Sequence, residues 1–479
     1  MPFRGQPRSK PDEPAVGADH VNLLLPQRKG SFFNGEVNGD VHAIACSCGA
    51  GKDRMKILVN GAGGLIGSSL CIRLERDGHE VVRVQRGAAR PMGSGGETAI
   101  DLDMARATSA DAWLPYLGGI DAVVNCAGAL QGGTTEVHAS GAAALFEACE
   151  SAGVARVIHF SAIGVEREQP SDFSRSKLAG DRALMERDLD WVILRPSVVL
   201  GRPVFGASAL IRGLAALPFL PVLPDTGRLQ VVQLDDVIAT VMFFLRPDSP
   251  ARLAVELAGP EAMTMSEVVG HYRAWLGWRM ATSIAVPGRI ARLFYWFGDV
   301  AGWFGWRPPV RSNAAREVMR GATGDPSAWT ELTGIRPRRL ASALAAEPAT
   351  VQERWFAGLY NLKAPIFVVL PLFWIATGII SLTSGWRNGV ELLLNTPAAA
   401  LAEPAVVAGA VSDIVVGLLI AFRRTSRAGL CCAILLSVAY AVIGTILRPD
   451  LWNEPLGPFL KIFPIILLHY VALAILEER

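Results

Sequence analysis

Three glycines spaced G-x-x-G-x-x-G, Gly61, Gly64 and Gly67, are the residues most suited to holding a ligand. Glycine at such positions lets the backbone turn tightly and approach a pyrophosphate, and lets the next helix pack close to the preceding strand. With Leu65 and Ile66 between them, they open a helix whose free N–H groups and positive dipole end would face phosphate oxygens. Arg86 lies just past a second hydrophobic run. An acid there would accept the ribose 2′-OH of NAD, whereas a cation would pair with the 2′-phosphate of NADP. No Asp or Glu occurs between Val81 and Arg90, while Arg83, Arg86 and Arg90 do, so NADP is favoured over NAD. Far along the chain, Asp413 and His469 are ionisable groups inside apolar runs, a costly placement that points to function.

These groups need elements to position them. Lys56 to Asn60 reads as a buried strand, Gly61 to Gly67 as a glycine turn, Ser68 to Asp77 as a helix and Glu80 to Val84 as a second strand, half of a mononucleotide-binding unit. Further strands are expected at Ile100 to Leu102, Ala122 to Cys126, Val157 to Phe160 and Val192 to Leu194, with a helix from about Val137 to Ala152. The alternation predicts an α/β, Rossmann-type, doubly wound parallel sheet over residues 55–280, with a small substrate region at its end. Residues 1–54 are polar, rich in Gly and Pro and without periodicity. They read as a disordered extension, with Met55 as an alternative start. Cys46 and Cys48 have no second pair beside them, so no metal site is expected.

The 479 residues suffice for more than one domain, and their 51% hydrophobic content exceeds what one soluble domain needs. A formal charge of +2, with basic residues scattered, gives no case for a nucleic-acid partner. Cys71, Cys126 and Cys149 fall in expected buried elements, which suits a reducing cytoplasm.

From Met55 to about Gly277 the chain resembles an extended or atypical short-chain dehydrogenase/reductase, in the group around the NDUFA-type accessory subunit of respiratory complex I. The matching residues are NGAGGLIG (60–67), DLD (101–103), NCAG (125–128), HFSAIG (159–164), SRSK (174–177) and LRPSVVLG (194–201). The resemblance implies that Asp101, with Leu102, contacts adenine, that Ala127 and Gly128 lie along the adenosine ribose, and that Arg195, Pro196 and Ser197 form the loop beside the nicotinamide amide. It also implies that Ser161 and Lys177 serve carbonyl and nicotinamide ribose. The family's Tyr, the proton donor four residues before the Lys, is replaced by Phe173, and no Tyr occurs between Tyr116 and Tyr272. Phe has no proton to give. His159, on the strand before Ser161, and Asp172, beside Phe173, are the candidates to replace it.

Residues 281–358 read as an amphipathic or interfacial connector. Ile290 to Trp306 mixes aromatics with Arg289, Arg292, Arg307 and Arg311, which suits either the headgroup region or packing on the reductase domain. Beyond it, Ala364 to Trp386 and Ala428 to Leu447 carry no charge, Pro404 to Phe422 only Asp413, and Leu456 to Leu476 only Lys461. Each is long enough to approach the roughly 30 Å hydrocarbon core, so residues 359–479 are expected to form an all-α four-helix transmembrane bundle. Residues 359–382 and 451–468 resemble the DoxX-like membrane family. Arg423, Arg424 and Arg427 place one loop, and with it the dinucleotide domain, in the cytoplasm of a cell whose inner membrane holds the bundle. Asp413 and His469 could form a proton-coupled pair, or Asp413 could be satisfied by helix–helix hydrogen bonds alone.

The expectation is a membrane-anchored NAD(P)-dependent oxidoreductase with a degenerate catalytic motif, acting on a carbonyl or quinone-like small molecule. The competing expectation is a catalytically silent NADP-binding sensor or assembly factor with a membrane redox partner. No flavin or iron–sulfur motif is present to split a hydride into single electrons for unaided quinone chemistry.

Overall fold

The computed structural model describes residues 54–87, 99–130, 132–223, 225–455 and 457–477. Arg90, Cys46, Cys48 and the N-terminal extension up to residue 53 lie outside the described residues.

The glycine turn links β1 (Lys56–Asn60) to α1 (Leu65–Arg76), which is followed by β2 (Glu80–Gln85) and β3 (Ile100–Asp101). Then come β4 (Ala122–Asn125), α2 (Gly141–Ser151), β5 (Arg156–Phe160), α3 (Asp172–Met185) and β6 (Asp190–Pro196). Short strands β7 (Val199–Leu200), β8 (Phe219–Val222) and β9 (Val232–Gln233) are interspersed with α4 (Ala207–Ala216) and α5 (Leu234–Phe244). The strand β10 (Leu253–Leu257) and helix α6 (Met265–Trp275) follow, and β11 (Thr282–Ala285) pairs with β8. The main sheet is seven-stranded and parallel, in the order β10-β6-β5-β4-β1-β2-β3. Because successive strand residues point to opposite faces, Ile57 and Val59 of β1 enter a core with Leu70 and Leu74 of α1. Leu58 enters a second core with Leu145 and Phe146 of α2. Both faces are covered, which is why the strands are nearly continuous apolar runs.

Residues 281–358 divide in two. Helix α7 (Gly288–Trp303) turns Leu293, Phe294, Trp296, Phe297 and Trp303 outward. By contrast α8 (Ser312–Arg320), α9 (Ser327–Thr333) and α10 (Leu340–Ala346) return to the reductase domain. Trp329 of α9 is fully buried in the sheet's core and donates to Thr240 Oγ1 at 2.9 Å, and Arg338 pairs with Asp236 at 2.9 Å.

Helix α11 (Val351–Leu382), the short α12 (Trp386–Leu394), α13 (Ala402–Ala421), α14 (Ser426–Leu447) and α15 (Ile462–Leu476) complete the chain. In the helical bundle α11 packs on α13, α13 on α14, α14 on α15 and α15 back on α11. Of the four, α11, α13 and α14 are long and apolar enough to cross a membrane. The fourth run was expected from Leu456 but becomes helical only at Ile462. Gly457, at φ 55°, is outside the helical region, and residues 458–461 form turns before the helix begins. Its 15 residues rise about 22 Å, less than the roughly 30 Å core.

Candidate functional site

The order reversal between β2 and β4, on either side of β1, opens a crevice at the carboxyl ends of these strands, where open α/β sheets bind ligands. Gly61 follows β1 at φ 77°. A Cβ on it would stand 2.7 Å from the Ala127 nitrogen, so the glycine turn and the exit of β4 meet here. A Cβ on Gly67 would lie 2.3 Å from the Gly61 carbonyl oxygen, and one on Gly64 3.2 Å from the same oxygen. The N–H groups of Gly61 and Ala62 donate to the Val84 carbonyl, fixing the turn to β2. Helix α1 starts at Gly64 with no side-chain cap and no acid in its first turn. The amides around Leu65 and Ile66 are therefore left for an anion.

At the end of β2, Arg86 is exposed and makes no ion pair among the described residues. Arg83 is turned back to Glu75 of α1. Asp101 accepts the Gly87 N–H at 2.9 Å, and Leu102 donates its N–H to the Gln85 carbonyl. The Asp101 carboxylate thus already shapes the loop after β2.

Ser161 follows β5, and the capping box of Ser171 with Ser174 starts α3, which carries Phe173 and Lys177. The Lys177 ammonium is buried and donates to the Phe160 carbonyl at 2.7 Å. Burial pushes its pKa down to about 8, against the pull of Asp181 and Cys126. A Cβ on Gly128 would be 3.8 Å from Lys177 Nζ, so Lys177 stands beside the β4 loop that also touches the glycine turn. The Ser161 hydroxyl is buried and close enough to the Asp181 carboxylate to draw its pKa down against the effect of burial, though no partner meets it at full hydrogen-bond geometry. A buried hydroxyl without a fully formed hydrogen bond, next to the carbonyl that holds a buried ammonium and at the crevice of an uncapped helix, fits the carbonyl and ribose groups that a nicotinamide dinucleotide and its substrate would bring. Phe173 is half-buried, edge-on to His138 with ring centroids 5.5 Å apart, and puts hydrocarbon where the family has a hydroxyl.

Neither candidate replaces that hydroxyl. His159 is buried under the strand ends among Asn125, Phe146 and Asp181. Burial, with Lys177 and Arg195 nearby, holds its pKa well below the usual range, so it stays neutral. Asp172 is exposed and pairs with Arg175. Arg195, expected beside the nicotinamide amide, turns inward to Asp181 at 3.0 Å and to Glu166 at 2.7 Å. Pro196 ends β6, and Ser197 Oγ donates to the Ala322 carbonyl at 2.8 Å, which stitches this loop to the segment after α8.

Two neighbours went unnoticed in the sequence. His138 sits in a π-helical turn, Glu136–Ser140, accepts the Ala129 N–H at 2.9 Å and faces Ser176 Oγ at 3.0 Å. A single-turn π segment is a frequent companion of functional sites, but no residue pattern announced it. Asp181 could have been found, because it stands four residues after Lys177 and shares its helix face.

In the helical bundle Asp413 and His469 do not pair with each other. Tyr440 donates to Asp413 Oδ1 at 2.7 Å, whereas His469 accepts from Trp374 Nε1 at 2.9 Å and its Nδ1 faces the Ile465 carbonyl. Each has its own partner on a neighbouring helix, Tyr440 for Asp413 and Trp374 for His469.

Fold and crevice together define a nucleotide-binding α/β domain followed by an apolar helical bundle. Residues 61–211 match the NAD(P)H-binding family and residues 371–470 the DoxX-like family. A region that matches the NAD(P)H-binding family, on a Rossmann-like sheet, is thus followed by a helical region that matches the DoxX-like family. It is 30% identical over 210 residues to a ceramide reductase of Caulobacter vibrioides, covering 42% of this chain and 64% of that protein. It is 26% identical over 117 residues to the mitochondrial NADH dehydrogenase [ubiquinone] 1 alpha subcomplex subunit 9 of Dictyostelium discoideum, covering 24% and 33%. The chain thus spans less than two thirds of the length of these relatives. Among solved structures it is similar to MoeE5 in complex with UDP-glucose and NAD, at 23% identity and a TM-score of 0.46, over 60% of this chain and 96% of that one.

Proposed function

We propose that this chain is a membrane-anchored NAD(P)H-dependent oxidoreductase acting on a carbonyl carried by an amphiphilic molecule, with NADP preferred over NAD. The observation that carries the reading is the buried Lys177 ammonium, held on the Phe160 carbonyl next to the buried Ser161, at the crevice formed by the glycine turn and the β4 loop. The similarity to a ceramide reductase supports a lipid-like carbonyl. The nicotinamide, when bound, supplies the hydride. Gly61, Gly64, Leu65, Ile66 and Gly67 would hold the pyrophosphate, and Arg86 the 2′-phosphate. Asp101, Leu102, Ala127 and Gly128 would line the adenosine, and Pro196 and Ser197 would flank the nicotinamide. Ser161 would hydrogen-bond the carbonyl oxygen and Lys177 the ribose. Phe173 leaves proton delivery to bound water or to the substrate itself. The arginines 423, 424 and 427 support a bundle in the inner membrane with the Rossmann domain in the cytoplasm.

The second reading, a silent NADP-binding sensor or assembly factor beside a membrane redox partner, is favoured by Phe173 alone. The deciding experiment is NADPH and NADH binding to the detergent-purified chain and to Arg86→Ala and Gly64→Asp variants, followed by stopped-flow oxidation of bound NADPH with a panel of long-chain carbonyls and quinones. NADPH binding that weakens in both variants, with oxidation by a panel member, supports the enzyme. Binding without oxidation moves the assignment to the sensor, and no binding overturns both.

A further inference from the structure

Behind α7 lies a pocket of about 440 Å³, bounded by α7, α8 and the loop after β8. Its walls include Tyr295, Ala315 and Met319, and it carries Arg289 and Arg292 from the first turns of α7, with Asp225 as its acid. Both arginines are solvent-exposed, and among the described residues neither makes an ion pair or a hydrogen bond. Asp225 is held at φ 59°, in the left-handed region that a residue with a side chain adopts at a cost.

The setting says what could fill it. Ala291, Tyr295 and Gly298 form the inward face of α7, and Leu293, Phe294, Phe297 and Trp303 an outward apolar one. So large an unpartnered apolar face marks an interaction surface. The end of α7 is fixed to the bundle: Arg423 N–H donates to the Phe304 carbonyl at 2.9 Å, and Trp306 Nε1 donates to the Ala421 carbonyl at 2.8 Å. Trp306 also packs against Phe367 of α11 with its ring tilted by 45°, and Arg423 lies over the Trp306 ring. The end of the helix is therefore held at the level where α13 ends and α14 begins, beside Arg423, Arg424 and Arg427.

We propose that α7 lies in the headgroup layer and that the pocket behind it binds the anionic headgroup of a membrane phospholipid, through Arg289 and Arg292. This rests on the membrane placement of the bundle but not on nicotinamide binding. Two unpaired guanidinium groups against one carboxylate supply the charge complementarity, and the outward aromatics supply the interfacial anchor. Helix α8 forms the wall between this pocket and α3. Its Glu317 accepts from Ser171 Oγ at the start of α3, and Arg320 donates to the Ile163 carbonyl at 2.9 Å. A bound lipid would thus press on the helix that touches the start of the Lys177-bearing helix.

Native mass spectrometry of the full detergent-purified chain, with phosphatidylglycerol, phosphatidylcholine or free glycerol phosphate added, tests the site. Wild-type chain should retain phosphatidylglycerol over phosphatidylcholine. The Arg289→Gln/Arg292→Gln double variant should lose about tenfold or more in retention, because two charge-assisted contacts to the headgroup go. Ala315→Phe, which fills the pocket, should do the same, and Asp225→Asn should strengthen retention. Arg424→Gln, which removes a loop charge outside the pocket, should change little. Equal retention by the double variant, an equal loss in Arg424→Gln, or no preference over phosphatidylcholine overturns the site. Free glycerol phosphate binding as well as the lipid overturns the membrane source. NADPH binding, measured on the same variants, should be unchanged. Its absence from every form would end the oxidoreductase reading and leave the lipid site to be judged on its own data.

Discussion

At the scale of single residues, the crevice is defined by what is missing as much as by what is present. Phe173 stands edge-on to His138, and burial, first of all, keeps His138 far below its usual pKa and so neutral. Neither ring can deliver a proton. Phe173→Tyr should therefore raise turnover on any carbonyl the chain already reduces, by about 10² if general acid catalysis is what is lacking. Stopped-flow NADPH oxidation by both forms reads the result, and no gain on any substrate would argue for the silent module. Lys177 gives a pH signature. Burial brings its pKa down to about 8 from 10.5, so the free chain loses this proton as pH rises through 8. A cofactor that engages the ammonium binds the protonated form, so the NADPH dissociation constant should rise up to tenfold per pH unit above about 8. Lys177→Met should bind weakly, with no slope there. Gly67 is fixed by space, since a Cβ would meet the Gly61 carbonyl at 2.3 Å. Gly67→Ala should cost about 1–3 kcal/mol and loosen NADPH, as read by thermal unfolding and titration.

At the scale of elements, the sequence is readable wherever a local pattern does the positioning. The run from Lys56 to Gln85 carries its own instructions: a buried strand, glycines with no room for a side chain, a helix without a cap and a strand end without an acid. The cradle was therefore legible. What could not be read is set by contacts distant in sequence. Nothing near Trp329 says that it will fill the sheet's core against Thr240, and nothing near Arg338 names Asp236 as its partner. For the same reason the separate partners of Asp413 and His469, Tyr440 and Trp374, had to be seen in the structure. The late start of α15 follows Gly457, which takes a positive φ that uniform apolarity does not announce. Trp329→Ala tests the assignment of α9 to the reductase domain. Removing a fully buried indole and its hydrogen bond should destabilise that domain by about 3–5 kcal/mol, seen as earlier loss of NADPH protection on heating, with the helical bundle's unfolding unchanged. If only the bundle were weakened, α9 would belong functionally to the membrane half.

At the scale of the whole molecule, α11 is the element that makes one body of two halves. Its 32 residues rise about 48 Å, more than the roughly 30 Å a bilayer core needs, and the excess is spent inside the reductase domain. Thr350 and Glu353 close a capping box at its start, and Ala357 is fully buried in the core with Leu200, Tyr272 and Leu276. Asn361 donates to the Gly213 carbonyl of α4 at 2.8 Å. Tyr360 lies so close to Gly213 that a Cβ there would come within 2.3 Å of its ring. No flexible linker separates these contacts from the apolar run that begins at Ala364, so the two halves are coupled through one helix. The staple of Phe304 and Trp306 to α13 and Arg423 adds a second connection. A Gly213→Leu variant should pry α4 from α11. Hydrogen exchange would then speed up over residues 207–216 and 351–363, while the strands β1 to β6 keep their protection. Exchange unchanged in α11 would mean that the Rossmann domain moves independently of the bundle. Loss of protection throughout the sheet would mean instead that this seam is part of the domain's own stability, because the first turns of α11 complete its core.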